Sequence, residues 1–150
     1  SGEETAVLVQ AGNENILINS TLRGHLLRDA IYDAKGLEPS AITRVICLKS
    51  DPQHTLDVPI MKNAQLYLPK RTLEAEKQST ENGPRHLAFN AWEKTPEMPI
   101  DLIEIGSSSV CVFNSGGKKI AVSSDHCDEQ ALINMGVHVS IMGADTRILQ

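Results

Sequence analysis

Apolar positions along the chain alternate between a two-residue period and a helical one. Ala6 to Val9 and Ile16 to Ile18 are β-branched-rich runs on either side of the turn-rich Ala11-Gly12-Asn13-Glu14-Asn15. That pattern predicts an opening β-hairpin. Leu22, Leu26, Leu27, Ala30, Ile31 and Ala34 then recur at helical spacing. Gly36 stands where a glycine would end such a helix, and Pro39 follows it. Ile42 to Leu48 reads as a buried strand, and Gln65 to Leu68, after Asn63, as a shorter one.

From Arg71 to Pro99 the periodicity fades. Glu74 to Pro84 is almost wholly charged or polar, so 71–99 reads as an insertion or loop region, with a loop or a frayed helix over its polar part. Within it, Leu87, Phe89 and Trp92 stand out in a chain that is 3% aromatic. Two readings are open. The three side chains pack back on the core as part of a lid, or they form a partner-facing anchor, since Trp is enriched at binding hot spots.

Order returns in the last third. Ile100 to Ile105, Val110 to Phe113 and Ile120 to Ser123 read as strands, with Ser115-Gly116-Gly117 turning the second into the third. Asp128 to Met135 reads as a short helix with Asp128 as N-cap and Gly136 as its stop. Val137 to Met142 is the final strand expected. Hairpin, helix, strand, strand, then mostly strands with one helix predicts a mixed α/β (α+β) chain, helices packed outside mixed sheets.

A length of 150 residues suits one compact domain spanning 1–150. The opening Ser1-Gly2 reads as a cleavage scar on a domain excised from a longer protein, a native processed end being the alternative. No apolar run approaches the ~20 residues of a membrane span, and no charged segment followed by an apolar run opens the chain. Net charge is −5, and the basic residues cluster only as Lys70-Arg71 and Lys118-Lys119. Direct nucleic-acid binding is therefore disfavoured, because phosphate neutralisation needs clustered cations. Cys47, Cys111 and Cys127 form no CxxC pair. An odd count of cysteines favours a reducing, intracellular compartment, cytoplasm or nucleus.

Several segments together resemble the metallo-β-lactamase fold. Ile16-Leu17-Ile18-Asn19-Ser20-Thr21 is similar to that family's strand ending in an Asp-Thr-Gly-like turn. Val45-Ile46-Cys47-Leu48 resembles the strand that leads into the family's Thr-His-x-His-x-Asp-His loop. Val58-Pro59-Ile60-Met61-Lys62-Asn63-Ala64-Gln65-Leu66-Tyr67 is similar to the segment after it, with Pro59 and Asn63-Ala64 in register. Lys119 to Asp125 resembles the strand ending in Gly-Asp, and Val139 to Asp145 the closing strand before Pro-Gly-His-Gly. The resemblance covers most of the chain and is nearest in style to small animal metallo-β-lactamase-domain proteins. It implies a trimmed αββα sandwich.

The departures from that pattern bear on function. In register, the His-x-His-x-Asp-His positions hold Lys49, Asp51, Gln53 and His54. Gly106-Ser107-Ser108-Ser109 stands where another histidine is expected, and Ala144 replaces the closing one. Only His54 and Asp125 remain of the metal ligands the resemblance implies. Catalysis in this family needs metals that acidify water, and zinc sites take at least three protein ligands. The expectation is a pseudoenzyme with no catalytic residues, no metal and no cofactor. It would act as a protein–protein interaction, dimerisation or scaffold module, with a second copy or a related subunit as partner. RNA-processing assemblies are the precedent the resemblance implies. The alternative is a divergent metal-dependent hydrolase, related to RNA processing, with a residual site around His54, Asp125, His126 and Cys127.

Overall fold

The structure is a computed structural model and describes residues 6–22, 24–49, 61–78, 89–92, 99–124, 127–142 and 145–149. The chain resolves into two compact units, essentially residues 4–92 and 93–150. Among the described residues, two five-stranded mixed sheets and three α-helices make it a mixed α/β chain, as the hydrophobic pattern predicts.

In the first unit, β1 (Val7–Ala11) and β2 (Glu14–Ile18) form the expected hairpin, in register from Val7↔Ile18 to Ala11↔Glu14. Strands β3 (Arg44–Ile46), β4 (Gln65–Pro69) and β5 (Asn90–Trp92) continue the sheet in the order β1-β2-β3-β4-β5, each parallel to its predecessor from β2 onwards. Parallel neighbours require crossovers. Helix α1 (Gly24–Lys35) supplies the one between β2 and β3, and α2 (Lys70–Gln78) lies in the connection from β4 to β5. The tract from Arg71 thus holds a helix and a strand of the sheet.

Leu17, Val45 and Leu66 sit side by side in register on one face of this sheet. With Cys47 and Leu68 they form a core together with Leu27 and Ile31 of α1 and Leu73 of α2. Leu27, Ala30 and Ile31 follow the i, i+3, i+4 stripe that faces a core. Leu26 falls one position off that stripe and is exposed. Ile16, Ile18 and Ile46 are also fully buried, so both faces of these strands are excluded from solvent, the usual condition of parallel strands.

In the second unit, β6 (Asp101–Ile105), β7 (Ser108–Ser115) and β8 (Lys118–Ser123) form an antiparallel meander. Gly116 and Gly117 have φ of +58° and +79°, the left-handed pair that a two-residue primed turn needs. Helix α3 (Glu129–Asn134) then allows β9 (Val139–Met142) to lie parallel to β8. A further strand, β10 (Asp145–Ile148), folds back antiparallel on β9 and completes the order β10-β9-β8-β7-β6. The sequence pattern ends with β9; its expectation misses β10, which has one apolar residue in four and no alternation.

Val110, Val112, Ala121 and Met142 form the second core with Leu132 of α3 and Val137. Asp128 caps α3 as expected, its carboxylate accepting from the amides of Gln130 and Ala131. Gly136, at φ +83°, ends it. Among the described residues no helix is long and apolar enough to cross a membrane.

Candidate functional site at the carboxyl ends of the parallel strands

In sheets with parallel strands, loops at the carboxyl ends are the usual place for ligands. Strand β2 runs out at Ile18 into Asn19, which has φ +55° and is the only described non-glycine residue in the left-handed region. Asparagine tolerates that region better than most residues. The Asn19 amide donates to the Ile46 carbonyl at 2.8 Å, which ties the turn to the end of β3. Asn19 is 4% exposed and Ser20 2% exposed. Asn19 Oδ1 and Ser20 Oγ are both buried without a hydrogen-bond partner among the described residues.

Two orphaned polar atoms and one left-handed residue in adjacent positions form a concentration of cost. Each unpartnered buried polar group costs about 1–3 kcal/mol, and such strain collects at functional sites. The sequence resemblance places Asn19-Ser20-Thr21 in the family's turn and does not single these atoms out. The available signal was a non-glycine, amide-bearing residue just past a strand, where the family has a carboxylate.

A contrasting polar group lies towards the amino ends of the same strands. Thr43 Oγ1 donates to Glu14 Oε2 at 2.6 Å, Arg44 Nε donates to the same oxygen at 3.1 Å, and Arg44 Nη1 donates to Tyr67 Oη at 3.1 Å. The guanidinium carbon also stands 5.9 Å from the Tyr67 ring centroid. Here every charge is partnered, which is the arrangement of a structural network.

Strand β3 leads through Cys47 and Leu48 to a half-buried Lys49, the first position of the expected metal loop. Asp51, Gln53 and His54 lie outside the described residues. The further histidine position, expected within Gly106 to Ser109, falls on the β6–β7 connection and the start of β7. That connection is the two-residue turn Gly106-Ser107, with Gly106 at φ +62° and Ile105 paired to Ser108. In the second unit β8 ends at the buried Ser123. The thiol of Cys127 reaches Ser123 Oγ at 4.0 Å. Asp125, His126 and Ala144 lie outside the described residues.

Zinc in proteins is held by histidine, carboxylate and cysteine groups. The described residues at the matching positions are an ammonium (Lys49), a glycine and serines, and no three His, Cys, Asp or Glu side chains converge among the described residues. Of the three residues considered for an interaction surface, Leu87 lies outside the described residues. Phe89 packs half-buried against the first core, and Trp92 on β5 is 2% exposed. A ring so enclosed contributes to packing rather than to display.

The arrangement matches solved structures. A putative metallo-β-lactamase from Thermotoga maritima superposes with a TM-score of 0.71 at 11% identity, covering 97% of this chain and 88% of that one. The chain carries the metallo-β-lactamase fold. The metallo-β-lactamase SMB-1, solved with mercaptoacetic acid, matches at TM-score 0.66 and 14% identity over 95% of this chain and 74% of that one. A probable metal-dependent hydrolase from Staphylococcus aureus matches at 0.56 and 18% identity, over 80% of this chain and 57% of that one. The chain therefore spans little more than half of that hydrolase. No protein-family model matches the chain, and no curated protein matches it. The metallo-β-lactamase-like fold expected from the sequence is thus supported by structure at identities where sequence similarity alone says little.

Proposed function

We propose that this chain is a noncatalytic metallo-β-lactamase-fold domain that serves as a protein–protein interaction or dimerisation module. The observation that carries the reading is the β6–β7 connection. Where the resemblance expects a histidine, the chain has a two-residue turn of glycine and serine. That turn offers no imidazole. Lys49 supports the same reading, because an ammonium is not among the groups that ligate zinc. Three cysteines outside any disulfide support a reducing compartment.

The rival reading, a divergent metal-dependent hydrolase related to RNA processing, draws on the hydrolases among the structural matches and on the remnants His54 and Asp125. Elemental analysis of the purified chain separates the two. The proposal expects metal well below one equivalent and no loss of any turnover with chelator. About one tightly held metal per chain, with chelator-sensitive turnover that His54→Ala or Asp125→Ala abolishes, overturns it.

A further inference from the structure

We propose that β10 is a self-association edge, at which two copies of this chain pair antiparallel about Thr146 to join their second sheets. The inference gives the interaction role above a surface and a partner, and it rests on that reading. In the sheet order β10-β9-β8-β7-β6, β10 is an outer strand, paired only to β9 among the described residues. An outer strand with unpaired backbone groups is a template for another strand.

The hydrogen-bond phase says which groups are open. The Leu149 amide donates to the His138 carbonyl at 2.8 Å, on the β9 side. Antiparallel ladders alternate, so Arg147 and Asp145 also direct their backbone groups towards β9, and those of Thr146 and Ile148 point outward. Thr146, Arg147 and Ile148 are all exposed, Ile148 by 82%, the most exposed large apolar side chain described.

A two-fold axis through the outward Thr146 pair sets the register. Thr146 then faces its own copy as the hydrogen-bonded pair, and Asp145 of each copy falls opposite Arg147 of the other. Those flanking positions are non-hydrogen-bonded pairs, the closer kind. Opposite charges directly across are favourable and like charges unfavourable, and a Thr–Thr pair is favourable as well. Shifting the axis by one residue puts Arg147 against Arg147, so charge selects the first register. The existing Arg147–Glu129 ion pair, at 2.6 Å, holds the guanidinium at this strand without burying it, its side chain being 50% exposed. A strand of four residues makes a small interface, so the dimer is weak and concentration-dependent.

The test is sedimentation velocity on the full chain over a wide concentration range, with thermal melts as a fold control. Arg147→Asp alone sets Asp against Asp, and Asp145→Arg alone sets Arg against Arg. Each single variant is expected to move the dimerisation midpoint about tenfold or more upward. An equimolar mixture of the two variants restores both opposite-charge pairs and is expected to dimerise near the wild-type midpoint. Should either variant not fold, amide exchange on the wild type decides. Protection of the Thr146 and Ile148 amides must rise with concentration. A wild type that stays monomeric throughout overturns the proposal, as does a mixture that stays monomeric or outward amides indifferent to concentration. A dimer insensitive to the swaps removes the edge pairing and leaves the noncatalytic reading standing. Stoichiometric, turnover-linked metal removes that reading whatever the dimer does.

Discussion

The backbone amide of Lys119 donates to Nδ1 of His138 at 3.0 Å, and the amide of His138 donates back to the Lys119 carbonyl at 2.8 Å. The exchange extends the parallel pairing of β8 and β9 one step beyond the Ile120↔Val139 register. It also requires Nδ1 to be an acceptor, so the neutral ring carries its proton on Nε2. His138→Phe keeps the ring's bulk and removes the acceptor. We expect a loss of about 1 kcal/mol, read as a melting temperature lower by about 2–4 °C for a chain of this size. His138→Asn, whose side-chain oxygen can take the same bond, should recover part of it. Equal losses for both variants would show that the bond is not what matters.

The orphaned hydroxyl of Ser20 makes an opposite prediction. Removing a partnered buried hydroxyl lowers stability, but removing an unpartnered one relieves a desolvation penalty. Ser20→Ala should leave the chain as stable as wild type or up to about 1 kcal/mol more stable in urea titration. A loss of about 1 kcal/mol or more would mean that the hydroxyl is bonded in solution. Asn19→Ala should behave differently, because alanine at φ +55° pays about 1–2 kcal/mol for the left-handed conformation, whereas Asn19→Gly should not.

These two cases mark how far the sequence carries. The hairpin, α1, β7–β8 and the Asp128 cap are legible because each follows from a local rule, whether a period, a turn or a cap. Strand β10 is not legible, because its four residues are held by pairing with β9 and carry no alternation of their own. Strand β5 is missed for the same reason, with Trp92 buried on a three-residue strand inside a tract that reads as polar loop. The site is half legible. Lys49 and the Gly106-Ser107 turn can be read as departures from a family pattern. The unpartnered state of Asn19 Oδ1 and Ser20 Oγ depends on what surrounds them in three dimensions, and no spacing rule encodes it.

The thiols give a pH dependence of known sign. Burial pushes the Cys111 thiol far above its ordinary range. Burial also raises Cys127, the Ser123 contact opposes that, and the carboxylates of Asp128 and Glu129 raise it further. Both thiols therefore stay protonated in the folded chain at pH values where the unfolded chain ionises them. Their contribution to stability is intact below about pH 8.5 and declines as pH rises above it. Urea midpoints should fall between about pH 7 and pH 9.5, and less steeply in Cys111→Ala. In the native chain a thiol reagent should reach Cys127 ahead of the buried Cys47 and Cys111. Glu129→Gln, which removes a charge that disfavours the thiolate, should speed that reaction. An unchanged rate would discount the carboxylate's effect.

The cap on α3 tests whether the second unit opens by itself. Asp128 Oδ1 accepts from the Gln130 amide at 2.9 Å and the Ala131 amide at 3.4 Å. Asp128→Ala removes both bonds and should cost about 1 kcal/mol, whereas Asp128→Asn, an equally good cap, should cost little. The helix is only six residues long and places the fully buried Leu132 in the second core. A helix that short is held by packing rather than by its own propensity, so fraying at the cap loosens Leu132 with it. Local openings of this kind are confined to the cooperative unit that contains them. Amide exchange in Asp128→Ala should therefore accelerate in α3 and at Val137, while the amides of β2 and β3 in the first unit keep wild-type protection. Equal acceleration in both units would show that the chain opens only as a whole.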